Sequence, residues 1–411
     1  MCIRDSYTAR VLDALTANPE VWSKTVLLLM FDENDGFFDH MPPPAPPSRD
    51  ATGALAGAST VDTRGEYHEL ITGVEKDDTP AHLHGVYGLG PRVPMYVLSP
   101  WTKGGWVNSQ VFDHTSVLRF VEQRFGVAEP NISPWRRAVC GDLTSIFDFA
   151  NPDGADLLRD FPATAERAAQ ASALPGTVTP PAPAQPALAR QQSGTRPSRA
   201  LPYALHTHAR VDGERVTLQF ENVGTAAAVL HVYDRLHLDR GPRRYTVEAG
   251  KRLEGEWLTA GDDGRYDLWV LGPNGFHRHC TGRAAAGKAP PLEVTAAYAA
   301  PGASLRLTVH NPGPEPRTFR VDANAYRYPP QSGAALAPGE SVELSWDMTR
   351  TGGWYDLTVH VPDDPACTRR LAGRIETGAP STSDPEMDQE LNLQWTCLLY
   401  TSDAADDTPC V

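Results

Sequence analysis

The feature that most constrains this chain is a repeat. "LQFENVG" at 218–224 lines up with "LTVHNPG" at 307–313, "VEAGKRLEGEW" at 247–257 with "LAPGESVELSW" at 336–346, and "GRYDLWV" at 264–270 with "GWYDLTV" at 353–359. Asn222 and Asn311, Gly250 and Gly339, Trp257 and Trp346, and Tyr266 and Tyr355 are each separated by 89 residues. One constant offset over four landmarks marks a duplication. Whatever 201–285 folds into, 290–376 folds into as well. Each copy carries short alternating apolar runs with turn residues between them, which predicts two small β-sandwich domains in tandem. Two copies are too few for a solenoid. The recurring Trp and Tyr fit a shared core better than two binding sites.

Residues 7–165 follow another grammar. "YTARVLDALTANPEVW" (7–22) places Val11, Leu12 and Leu15 on one helix face. "TVLLLMF" (25–31) and "VPMYVLSP" (93–100) are short continuous apolar runs, the pattern of strands buried on both faces in a parallel sheet. "DHTSVLRFVEQRFG" (113–126) has a polar start, apolar Val117, Leu118, Val121 and Phe125, and a terminal Gly126, which predicts a helix. Helix, strand, strand and helix together give an α/β class. Residues 41–92 are rich in Pro, Gly, Ala and Asp and read as a long loop or lid. The Pro-rich run within 166–200 reads as an extended linker between the α/β part and the first repeat.

Composition enters mainly by exclusion. The net charge of −14 argues against a nucleic-acid partner, which needs a basic face. No apolar run approaches the ~20 residues of a membrane-spanning helix. The end segments "MCIRDS" (1–6) and "CLLYTSDAADDTPCV", in a tail over 377–411, match no local pattern. They read as non-native, the tail from about residue 396, and are set aside. Cys140, Cys280 and Cys367 then remain, with no CxxC pair, so neither a zinc-thiolate site nor a disulfide framework is indicated.

The chemistry concentrates in "FDENDGFFDHMPPP" (31–44), directly after the first apolar run. Sites in open α/β sheets form beyond the carboxyl ends of strands, where Asp32 and Glu33 fall. Adjacent carboxylates there call for a cation or for hydrogen-bond donors, and hard oxygens suit a divalent metal ion. The competing reading is an acidic loop in which Asp35 or Asp39 caps a helix. His114 follows Asp113 at a helix start and reads either as a site residue or as a local cap. His82 and His84 have H-x-H spacing but no neighbouring carboxylate and read as loop residues. Tyr96, Trp101 and Trp106 are candidate walls for a quaternary ammonium, or ordinary core aromatics. "RLHLDRGPRRY" (235–245) is basic, without a counterpart in the second copy, and reads as a solvated loop or a contact for anionic lipid.

"FDENDGFFDHMPPP", "GLGPRVPMYVLSPWTKGGWVNSQVFDHTSVLRFVEQRFGV" and "EPNISPWRRAVCGDLTSIFDF" resemble the C-terminal part of the catalytic domain of bacterial phosphocholine-specific phospholipase C, and the repeats resemble that family's paired C-terminal domains. The resemblance covers residues 7–385. It implies part of an alkaline-phosphatase-like sheet with covering helices, followed by the two sandwiches. It also implies a metal-dependent phospholipase C that splits phosphatidylcholine into diacylglycerol and phosphocholine, with sphingomyelin as a candidate second substrate. Under it, Asp32 and Glu33 are metal ligands of unspecified metal, and Asp39-His40 matches a family Asp-His pair near the site, which makes His40 a catalytic candidate; His114 is a second catalytic candidate from its place at the helix start. Trp106 is a candidate for binding the head group, and the partner is phospholipid at a membrane surface. The family is exported, which implies a secreted or periplasmic protein. Its nucleophile and remaining ligands lie ahead of the acidic pair, so the chain reads as a C-terminal part, inactive by itself. An acid-phosphatase-type monoesterase and a non-catalytic membrane- or carbohydrate-binding sandwich module are the competing functions.

Overall fold

The computed structural model describes residues 2–34, 41–50, 52–70, 79–152, 163–175, 184–185, 193–299 and 302–388. In chain order the first elements are α1 (Cys2–Thr16), α2 (Pro19–Trp22), β1 (Leu27–Met30), β2 (Ser48–Arg49), β3 (Leu55–Ser59), β4 (Met95–Leu98), α3 (His114–Phe125), α4 (Pro134–Val139) and α5 (Ala165–Ser172). The first repeat follows with β5 (Pro197–Ser198), β6 (Leu205–Asp212), β7 (Arg215–Asn222), β8 (Ala228–Asp234), β9 (Arg243–Val247), β10 (Arg252–Leu258), β11 (Arg265–Leu271) and β12 (His277–Arg283). The second holds β13 (Glu293–Ala299), β14 (Ser304–His310), β15 (Arg320–Ala323), β16 (Gln331–Ser332), β17 (Ser341–Asp347), β18 (Trp354–His360), β19 (Thr368–Arg374) and β20 (Ser381–Thr382). They form two compact units, one of Met1–Phe38, Val93–Trp106 and Ile146–Gln192, the other of Asp39–Arg92, Val107–Ser145 and Ser193–Val411.

In the smaller unit, α1 packs against α5. The helix expected over 7–22 instead starts at Cys2 and stops at Thr16. Pro19 cannot donate to a continuing helix, so Asn18 opens a second one, its side chain accepting from the Glu20 and Val21 amides at 2.9 and 3.4 Å. The two apolar runs become β1 and β4 and pair with each other, Leu27 opposite Leu98 and Met30 opposite Met95. They run antiparallel and are only half-buried, where a parallel, doubly covered sheet was expected. A continuous apolar run reports a strand's appetite for burial. It carries no information on the direction of its neighbour.

The larger unit is built around the duplication. Each repeat sets a three-stranded sheet, β6-β7-β10 or β13-β14-β17, against its share of one ten-stranded sheet ordered β16-β15-β18-β19-β12-β11-β8-β9-β3-β2. The expected sandwiches are present. Their large sheets are fused through antiparallel pairing of β12 with β19. Alternation fixes which residues face inward: Val216, Leu218 and Phe220 of β7 are fully buried, as are Leu305, Leu307 and Val309 of β14. Asn222 and Asn311 are equally buried and tie the same turn in both copies. Each donates to two carbonyls at 2.8 and 2.9 Å, Asn311 also to that of Ala337 at 3.3 Å, and each accepts from the amide two residues on.

Part of the stretch expected to be a lid is sheet. β3 pairs in parallel with β9 of the first repeat, Gly57 opposite Arg244. A Cβ at Gly57 would lie 1.9 Å from the Arg244 carbonyl oxygen, so only glycine admits the strand. Beside it, α4 buries Trp135 completely, and the indole N–H donates to Thr246 Oγ1 at 3.0 Å. The end of the expected linker is also structured, with β5 pairing β20. Cys140, Cys280 and Cys367 are free, buried thiols.

Candidate functional site

In the smaller unit, β1 ends at Met30 and the Phe31 amide still donates to the Pro94 carbonyl at 3.3 Å. Asp32 and Glu33 follow, and both are exposed. The strand register thus delivers two carboxylates to solvent at a strand's carboxyl end. The Tyr96 ring lies 6.4 Å from that of Phe31, and the Arg4 guanidinium 5.1 Å from the same ring. An aromatic wall therefore adjoins the acidic pair. Trp106 folds back over its own loop: a Cβ at Gly104 would lie 3.1 Å from its Nε1. Trp101 packs against Phe149 with ring centroids 5.6 Å apart and planes tilted by 56°, and its carbonyl accepts from the Asp148 amide. Asp35, Asp39 and His40 lie outside the described residues.

Two adjacent exposed carboxylates are hard donors suited to a divalent cation, but they are fewer than the six to eight oxygens such an ion takes. Among the described residues, no three His, Cys, Asp or Glu side chains converge into a metal site. Asp32 and Glu33 therefore fit as part of a donor set.

His114 belongs to the other unit. It is the first residue of α3 and is exposed. Its neighbour Asp113 does the capping, accepting from the Ser116 amide at 3.2 Å while the Asp113 amide donates to Ser116 Oγ at 3.1 Å. The other Asp113 oxygen accepts from Arg136 Nη1 at 2.7 Å. Arg136 Nε and Nη2 grip Glu66 at 3.0 and 3.2 Å, and Ser133 Oγ donates to the same carboxylate at 2.6 Å. Glu66 is 1% exposed. Burial works against the charge on Arg136, yet the Asp113 and Glu66 carboxylates hold its pKa above the usual arginine value.

This network floors an open cleft of about 650 Å³ lined by Glu66, Thr115, Leu118, Asn131, Ser133 and Arg136 among others. Sequence reasoning missed it. Glu66, Asp113 and Arg136 are scattered along the chain, and the one available signal was an arginine following the Ser-Pro-Trp helix start at 133–135. One guanidinium bonds both carboxylates, and Ser133 adds a further donor to Glu66, so the network reads as the clamp that joins α3, α4 and the 60–68 loop.

His82 and His84 are exposed loop residues, as expected. His84 adopts φ +66°, and its amide donates to the His68 carbonyl. The basic 235–245 segment, expected as a loop, runs into β9 at Arg243; Arg235 sits 4.4 Å over the Trp269 ring and Arg243 4.7 Å over Trp257. Those two arginines serve packing within the first repeat.

Residues 3–128 match the phosphoesterase family, and 197–283 and 291–374 each match the bacterial phospholipase C, C-terminal domain. The chain is 49% identical over 388 residues to non-hemolytic phospholipase C of Pseudomonas aeruginosa, covering 93% of the chain and 55% of that protein. It is 46% identical over 388 residues to non-hemolytic phospholipase C of Burkholderia pseudomallei, covering 92% and 53%. With hemolytic phospholipase C of Pseudomonas aeruginosa the identity is 41% over 416 residues, covering 93% and 54%. The chain thus spans about half the length of these relatives.

Proposed function

We propose, for a chain that belongs to the bacterial phospholipase C family of phosphoesterases, that its sequence contributes to an enzyme splitting phosphatidylcholine into diacylglycerol and phosphocholine. The 49% identity to a protein named non-hemolytic phospholipase C, running through both the phosphoesterase segment and the two repeats, is the observation that carries this reading. Among the described residues no helix is long and apolar enough to cross a membrane. The same reading makes it an exported protein acting on phospholipid at a membrane surface.

In this reading Asp32 and Glu33 hold a divalent cation. When bound, such a cation stabilises negative charge on the phosphoryl oxygens of the substrate. The two carboxylates bind and orient; neither attacks. Phe31 and Tyr96 form an apolar flank that supports the strand end from which the pair projects. His40 and His114 are proposed to move protons at the reacting phosphodiester, and Trp106 to contact the choline group.

The test is carried out on the protein encoded by the complete gene. Asp32→Ala with Glu33→Ala is expected to lower phosphocholine release from phosphatidylcholine about 10³-fold, the scale of losing one electrostatic stabiliser of a transition state, and to lower bound metal. Undiminished release with the metal retained refutes the assignment. Turnover of phosphate monoesters in preference to phosphatidylcholine would favour the monoesterase.

A further inference from the structure

The seam between the repeats is made twice over. Tyr266 faces Gly282 in the first repeat as Tyr355 faces Gly373 in the second, and Val270 faces Arg278 as Val359 faces Arg369. Arg278 and Arg369 therefore occupy the same place in their repeats, and each reaches into the other. Arg278 Nη2 donates to Tyr355 Oη at 3.0 Å, and Arg369 Nη2 to Tyr266 Oη at 2.6 Å. Arg278 Nη1 donates to the Ala372 carbonyl at 2.9 Å, and Arg369 Nη1 to that of Thr281, the position equivalent to Ala372, at 2.6 Å. Each Nη1 also bonds the carbonyl just before its own residue, at 2.7 and 2.9 Å. Even the omission is shared, since Nε of both arginines is buried without a partner.

Both arginines are all but inaccessible, 2% and 4% exposed, and among the described residues neither forms an ion pair with a carboxylate. The register has the same symmetry. β12 and β19 pair antiparallel, and His279, opposite Arg370, lies at the centre. Those two are equivalent positions, facing Trp269 and Thr358 in matching strands. A pair of equivalent residues facing each other marks a local two-fold axis. Where the symmetry fails, it fails by addition: Tyr298 Oη joins Arg278 and Tyr355 at 2.7 and 2.9 Å.

We infer that this seam is a self-complementary docking surface whose partner is a second copy of the same repeat edge. Within the chain the neighbouring repeat fills that place. When the chain cannot close on itself, the matching edge of a second chain fills it. An isologous interface requires one surface to carry both halves of every contact, and each repeat has its own Arg and its own Tyr. An opened seam would also leave the β12 and β19 edges with unpaired backbone groups, the usual template for strand pairing between chains.

The experiment shortens the connection between the repeats in the full chain. Its turn is closed by the Lys288 amide on the Ala285 carbonyl at 3.0 Å, and Ala286, Gly287 and Lys288 are deleted. Light scattering is expected to show a folded dimer, and Arg278→Leu with Arg369→Leu in the shortened chain is expected to weaken its association at least about tenfold. A folded monomer, or a dimer indifferent to the two Leu substitutions, overturns the proposal. If the shortened chain does not fold, double-mutant cycles in the unshortened chain decide. Arg278→Lys with Tyr355→Phe and Arg369→Lys with Tyr266→Phe should each show coupling of roughly fivefold in the unfolding constant. Coupling at one corner only, or at neither, refutes the two-fold reading.

Discussion

The two repeats share one architecture and differ in what they bury. Both use an inward-facing stripe on the second strand, a fully buried Asn under a turn, a Tyr opposite a Gly and an Arg crossing the seam. Close approach enforces the Tyr–Gly pairing: a Cβ would lie 2.5 Å from Tyr266 Oη at Gly282 and 3.3 Å from Tyr355 Oη at Gly373. The first repeat, however, also holds His206, His208, His231 and His277. Burial lowers the pKa of all four, to about 4 for His208 and about 3 for His231. Both ring nitrogens of His277 lack a partner. The second repeat puts Thr368 where the first has His277 and Arg320 where it has His231. A duplicated fold keeps the contacts that close its core and seam, and leaves the outer face free to change chemistry.

The sharpest way to break this comparison lies in the core. Phe220 is inaccessible and stacks on Tyr245 at 4.3 Å, and its counterpart in the second repeat is the smaller Val309. Phe220→Ala is expected to cost about 3–5 kcal/mol. Val309→Ala should cost less, since fewer atoms are lost. Urea denaturation measures both, and equal losses would show that the repeats are packed alike despite the difference in volume. Next comes the shared device. Asn222→Ala and Asn311→Ala each strip at least two carbonyls and one amide of their partner, at about 2–3 kcal/mol. These two losses should agree, and a marked difference would show that the turns are not equivalent.

Acid should then separate the repeats. A histidine kept neutral by burial leaves the unfolded state holding the extra proton, so stability falls as pH drops through the unfolded value of 6.5 toward the folded one. For His231, with a folded pKa of about 3, the loss at pH 5 is on the order of 2 kcal/mol. Hydrogen exchange between pH 7 and 5 should show amides of β8 and β12 losing protection first, and His231→Gln should flatten that dependence. Earlier loss in β15 and β18 would contradict it.

The smallest effects belong to the surface. In the helix pair beside the cleft, hydrogen bonds from Arg137, then the Glu129 amide, hold the Glu122 carboxyl down to about 2. Its contribution is present above the ordinary carboxylate pKa of 4.5 and is lost only as pH falls toward 2. Glu122→Gln should lower the melting temperature modestly at neutral pH, where the ionised carboxylate is bonded, and remove a step from the acid limb of the stability curve. Arg306→Ala, which breaks an exposed pair with Glu343, should shift stability by less than about 1 kcal/mol.

How much was legible follows from the range of each signal. Local and periodic signals read well. The duplicated landmarks gave both sandwiches. The polar start and Gly126 gave α3, whose C-cap Gly126 adopts φ +70° as a helix-ending glycine does. The Asp32–Glu33 pair was legible as a strand-end acidic site, because a strand's end is a local property. The clamp of Glu66, Asp113 and Arg136 was not, since its members meet only through the packing of distant segments.

By itself, then, the sequence determined that two copies of one β-sandwich follow an α/β segment, since periodicity and turn chemistry act over a few residues and recur wherever the sequence does. Tertiary structure alone decided that the two large sheets would fuse across β12 and β19, that β3 would join them in parallel, and that β1 and β4 would run antiparallel. Strand partners are chosen by complementary edges far apart in the chain. No residue along a strand announces which edge it will meet.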